Sequence, residues 1–105
     1  MKATERFINY VKINTTSDSA SDTSPSTYIQ FDLANKLAEE MKNLAMSNVS
    51  VSEHCYVYGT LEATPDCENA PVIGFVAHMD TSPDFSGRDI QPQIIENYDG
   101  NDIFL

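Results

Sequence analysis

The chain has 105 residues, enough for one domain or part of one, and its 41% hydrophobic content with five prolines and four glycines is that of a folded protein with one small core. Sixteen acidic against six basic residues leave a formal charge of −10, which repels phosphate backbones and anionic lipid surfaces and argues against nucleic-acid and membrane partners. The longest apolar stretch, Ala70 to Ala77, falls far short of the roughly 20 residues of a membrane-spanning helix, and Met1 to Arg6 lead into no secretion-signal core, so a cytoplasmic protein is expected.

From Thr4 to Lys12, Phe7, Ile8, Tyr10 and Val11 recur at helical spacing, which predicts a short first helix capped by Thr4. Asn14 to Ser26 reads as a polar loop, with Ser24 or Ser26 capping a second helix. That helix is predicted over residues 26–46, because Ile29, Leu33, Leu37, Met41 and Leu44 form one apolar stripe; the stripe is packing surface.

Beyond Asn48 the pattern turns to strands. Val49 and Val51 alternate with serines, and Tyr56 to Ala63 is aromatic and β-branched, so two strands joined near Glu53 and His54 are expected. Cys55 and Cys67 form no close pair and read as free, partly buried thiols. His54 beside Cys55 reads as structural, since neighbours on a strand point to opposite faces. After a turn at Thr64 to Asn69, Pro71 to Ala77 suits a strand buried on both faces of a layered sheet. Gln93 to Glu96 suits a further short strand, and Asn101 to Leu105 ends on an apolar group, as expected of a truncation inside a domain. The fold class expected is α/β, with two helices followed by about three strands of a mixed sheet.

Candidate chemistry gathers at His78 and Asp80, where the apolar run gives way to loop, the position at which open α/β sheets hold ligands. Residues two apart on an extended chain share a side, so imidazole and carboxylate can meet; one ring nitrogen is then free for a metal while the other donates to the carboxylate. The alternative is an ordinary histidine at a strand end followed by an aspartate that caps the next turn.

The run Pro71 to Gly87, PVIGFVAHMDTSPDFSG, followed by QPQIIENY at Gln91 to Tyr98, resembles the peptidase T family of dinuclear zinc tripeptidases. Glu5-Arg6-Phe7 and Tyr10 to Thr15 are similar to that family's opening helix and turn, and Gln30 to Met41 and Tyr56 to Leu61 agree more loosely. The resemblance covers essentially the whole chain and about the first quarter of a peptidase T subunit. It implies that residues 1–105 are the N-terminal portion of a layered α/β zinc-peptidase catalytic domain.

By that resemblance, His78 stands at the first zinc ligand and Asp80 at the catalytic-site carboxylate that holds its imidazole. The bridging aspartate, the general-base glutamate and the other ligands fall later in the chain. The implied full-length enzyme binds two zinc ions per subunit, forms a homodimer and releases the N-terminal residue from tripeptides by metal-activated water. The fragment alone is expected to be inactive, to hold no zinc stably and to self-associate through a cut sheet edge. Related zinc dipeptidases and deacylases share the His-x-Asp pattern, and a non-catalytic interaction module is a further alternative. Thr81 to Asp84 and Gln91 to Ile94 favour peptidase T.

Overall fold

The computed structural model describes residues 1–104. Leu105, and with it the expected apolar end of the chain, lies outside the described residues. The first helix, α1 (Ala3–Val11), begins where a carboxylate can reach back to it. Glu5 accepts the Lys2 backbone N–H at 2.7 Å, and its charge sits favourably in the first turn. Lys2 is therefore the capping position and the expected cap, Thr4, lies inside the helix. Nine residues make a marginal helix in isolation. Tyr10 donates its hydroxyl to Glu40, and Arg6 Nη1 meets the same Glu40 oxygen at 2.8 Å, so polar contacts tie α1 to the second helix while Phe7 stays exposed.

Helix α2 (Gln30–Asn43) is shorter than its apolar stripe. Residues 27–32 form i to i+3 turns, with Thr27 O accepting from Gln30 N and Tyr28 O from Phe31 N. Neither expected serine caps the helix: Ser26 Oγ accepts from the Asp18 N–H and the Gln30 side chain, and the position before the helix is Ile29, with no side-chain cap. The buried face is Gln30, Leu33, Ala34 and Ala38, so small residues carry the close packing, while Ile29 and Leu44 at the two ends are exposed. Ala45 takes a left-handed φ of 58° and turns the chain back.

The return forms an antiparallel hairpin of β1 (Ser47–Val51) and β2 (Val57–Thr60). The register pairs Ser47 with Thr60 and Ser50 with Tyr58, so β1 carries one extra residue, a bulge beside Asn48 at φ 51°. Two strands alone are marginal, and α2 lies across both. Gly59 permits this approach: a Cβ there would stand 2.9 Å from Met41 Sδ and 3.2 Å from Met46 Cε. Between the strands, Ser52 N donates to Tyr56 O and Cys55 N to Ser52 O. His54 and Cys55 thus sit in a turn, not on a strand. Cys55 is buried there, whereas Cys67 is exposed, against the expectation of partial cover for both.

The C-terminal part departs most from expectation. Pro71 to Ala77 forms no strand among the described residues, and Val72 is 99% and Val76 100% exposed. Gln93 to Glu96 likewise forms none. A strand apolar on both faces needs paired neighbours and a covering layer on each side, and neither is present among the described residues, whose sheet has two strands instead of about three. The radius of gyration, 17.1 Å against about 13 Å for a closed domain of this length, reflects that extended arm.

Candidate functional site

From Leu61 to Phe104, partial cover among the described residues falls on Met79, Asp80, Gly87 and Ile90. Three of these flank the place where the arm touches the packed part of the molecule. There Thr81 N donates to Thr15 O at 3.1 Å and Ser17 N donates to Thr81 O at 2.9 Å, a parallel bridge centred on Thr16 and Thr81. Ser17 Oγ adds a bond to the same Thr81 oxygen. The receiving loop is itself ordered from within: Asn14 Oδ1 accepts both the Thr16 N–H and the Thr16 hydroxyl, and Thr27 Oγ1 donates to Thr16 O at 2.7 Å. Thr15 is buried beneath it.

One residue before the bridge, Asp80 faces His78. His78 Nδ1 lies 2.8 Å from the Asp80 carbonyl oxygen and 3.1 Å from Asp80 Oδ1. Both partners accept and neither can donate, so Nδ1 carries the proton and the lone pair of the neutral ring resides on Nε2. The side chain that bears it is 85% exposed. This is the arrangement in which an imidazole binds a cation through one nitrogen while a carboxylate fixes the tautomer through the other.

The donor set fits one ligand with its support and stops there. Among the described residues no group of three or more His, Cys, Asp or Glu side chains is placed to hold a metal, and zinc centres use three or four protein ligands. His54 is elsewhere, on the hairpin turn, with Nδ1 3.3 Å from Ser24 O. Two open recesses, one of about 410 Å³ between Arg6, Tyr10 and Met46 and one between Pro25, Tyr28 and Glu53, do not border His78 or Asp80. Sequence reasoning brought His78 and Asp80 together but missed Asn14, Thr16 and Gly87. The local Asn-x-Thr pattern signals an Asx turn, yet no periodicity links it to residues more than sixty positions away.

No protein-family model matches the chain. Individual proteins do. Peptidase T of Caldanaerobacter subterraneus subsp. tengcongensis is 57% identical over 104 residues, which is 99% of this chain and 25% of that protein. Peptidase T of Geobacillus thermodenitrificans is 54% identical over 101 residues, 96% of this chain and 24% of its own length. Peptidase T of Alkaliphilus oremlandii is 52% identical over 102 residues, again 96% of this chain and 25% of that protein. An alignment that takes in 104 of 105 residues includes both His78 and Asp80. No helix among the described residues is long and apolar enough to cross a membrane.

Proposed function

Because the chain is a relative of peptidase T that spans about a quarter of the length of the curated relatives it matches, we propose that it is the N-terminal portion of a cytoplasmic, zinc-dependent aminopeptidase acting on tripeptides. The observation that carries this reading is identity of 52–57% across essentially the whole chain. The exposed run Val72 to Ala77 supports it, since apolar surface of that extent calls for the remainder of a layered domain to cover it. Outside such a domain the same run would draw copies of the chain together.

In this reading His78 offers Nε2 to zinc and Asp80 holds the Nδ1 proton, so the ring presents one tautomer in one orientation. The remaining ligands of a dinuclear centre, and the general base, come from the part of the enzyme beyond this chain. Zinc, when bound, supplies a Lewis acid that polarises the scissile carbonyl and makes water a usable nucleophile at neutral pH. This chain's share is binding and orientation, and alone it is expected to cleave nothing.

The test uses the complete protein on a tripeptide and on an N-acyl amino acid, before and after chelation and zinc re-addition. Release of one amino acid and a dipeptide, lost on chelation and restored by zinc, is the expected result. Turnover of the N-acyl substrate alone would assign the protein to the related deacylases instead.

A further inference from the structure

The loop from Ser82 to Ser86 is tied at both ends to the Asn14–Ser17 loop. At its start Thr81 N donates to Thr15 O, and Ser17 N and Oγ donate to Thr81 O, on either side of Thr16. At its end the Gly87 N–H donates to Thr16 Oγ1 at 3.2 Å. The Thr16 hydroxyl works in both senses, because it also donates to Asn14 Oδ1 at 2.6 Å. Gly87 matches this closely: a Cβ there would stand 2.6 Å from Thr16 Oγ1 and 2.7 Å from Asn14 Oδ1, closer than real side chains come. The segment that follows His78 and Asp80 is thus held from below by a hydroxyl with two partners and a glycine that leaves it room.

We propose that Thr16 is a positioning residue for the His78 and Asp80 pair, acting through its hydroxyl, which shapes the Asn14–Ser17 loop, whose Thr15 and Ser17 hold Thr81, and fastens Gly87 to that same loop. Asp80 is the residue directly before the bridged Thr81, and both of its acceptors for the His78 proton, backbone and side chain, move with that peptide. Fixing Thr81 fixes the carbonyl of Asp80 to within the play of one peptide unit. Releasing it lets Asp80 turn away and the imidazole adopt either tautomer. As a statement about metal binding, this rests on the peptidase reading above; as a statement about the imidazole, it does not.

Thr16→Val keeps the shape and removes the hydroxyl, Thr16→Ser keeps the hydroxyl, and Gly87→Ala attacks the same contact from the other side. In the complete protein labelled with nitrogen-15 at histidine, His78 is identified by its loss in His78→Ala and read at a pH where the ring is neutral. The wild type should show the single Nδ1–H tautomer. Thr16→Val and Gly87→Ala should show a mixture, with exchange of the amide at residue 87 faster on the order of fivefold and zinc affinity by chelator competition about tenfold weaker. Thr16→Ser should restore the wild-type tautomer and affinity. A Thr16→Val protein that keeps one tautomer and full affinity overturns the proposal, as does failure of Thr16→Ser to restore them. Should Thr16→Val not fold, Gly87→Ala decides by the same readings. If His78→Ala leaves zinc binding unchanged, the peptidase reading fails, while the tautomer and exchange still decide the role of Thr16.

Discussion

Residues 3–60 and residues 61–104 dispose of apolar surface in opposite ways. In the first, Leu33, Ala34, Ala38 and Cys55 are buried between α2 and the hairpin that follows it. In the second, Val72, Phe75, Val76, Phe85 and Phe104 are each at least 86% exposed. Hydrophobic content does not separate the two, since the run Pro71 to Ala77 is the most apolar in the chain. Access to partners does. Helix α2 finds its cover within the next twenty residues, after one left-handed turn at Ala45, whereas a strand apolar on both faces needs layers that no neighbouring segment of residues 61–104 provides. Apolar pattern states a demand, and local topology decides whether the chain itself meets it.

The largest test of that contrast concerns the His78 and Asp80 pair, which lies in the less covered part. On the peptidase reading proposed above, His78→Ala in the complete protein should lower kcat/KM on a tripeptide by about 100-fold or more, and Asp80→Ala by about 10 to 100 fold. His54→Ala, on the packed hairpin turn, should stay within about twofold; matching losses at His54 and His78 would place the site in the wrong half.

Stability should divide the opposite way. Leu33→Ala should cost about 2 kcal/mol or more in chemical denaturation, the lower end for a buried leucine. In the 105-residue chain, Val76→Ala, at a fully exposed position, should stay within about 0.5 kcal/mol. Equal costs would mean that residues 71–77 are packed in solution. The two thiols sharpen the same point by rate: burial pushes the Cys55 thiol up and covers it, so Cys67 should be alkylated more than about tenfold faster at neutral pH.

The smallest effect lies at the junction of α1 and α2. The Tyr10 hydroxyl first, and then Arg6 and Lys36, hold the Glu40 carboxyl below its ordinary value of 4.5. Its contribution is therefore fully present above that value and is lost as pH falls through the lower folded one. Burial and the Glu40 carboxylate raise the Tyr10 hydroxyl in turn. Helix content followed on acidification should show a loss of at most about 1 kcal/mol that Glu40→Gln abolishes.

Much of the packed half was legible because its signals are local. The helix stripe at Leu33 and Leu37, the shift to alternation at Val49 and the turn near His54 each lie within a few residues of what they predict. The misreadings there are exchanges between local partners: Glu5 at Lys2 displaces Thr4 as the start of α1, and the Ser26 hydroxyl is drawn to Asp18 instead of capping α2. The strand expected at Pro71 to Ala77 failed for another reason, since its pattern describes an environment that these 104 residues do not build. The pairing of His78 with Asp80 was readable from spacing. Its attachment through Thr16 and Gly87 was not, because hydrogen bonds spanning 71 positions leave no mark in either segment alone.

That attachment also orders events in time. A ribosome adds roughly 5 to 20 residues per second, so the 65 residues separating Thr16 from Thr81 take on the order of 3 to 13 seconds to appear. Helices and hairpins form in about microseconds. The Asn14–Ser17 loop, braced by Thr27 at the approach to α2, therefore has seconds to take shape on the nascent chain before Asp80 leaves the exit tunnel. The hydrogen-bonding groups that receive Thr81 and Gly87 stand ready as a template, and the segment bearing the imidazole is captured on arrival instead of searching for its place.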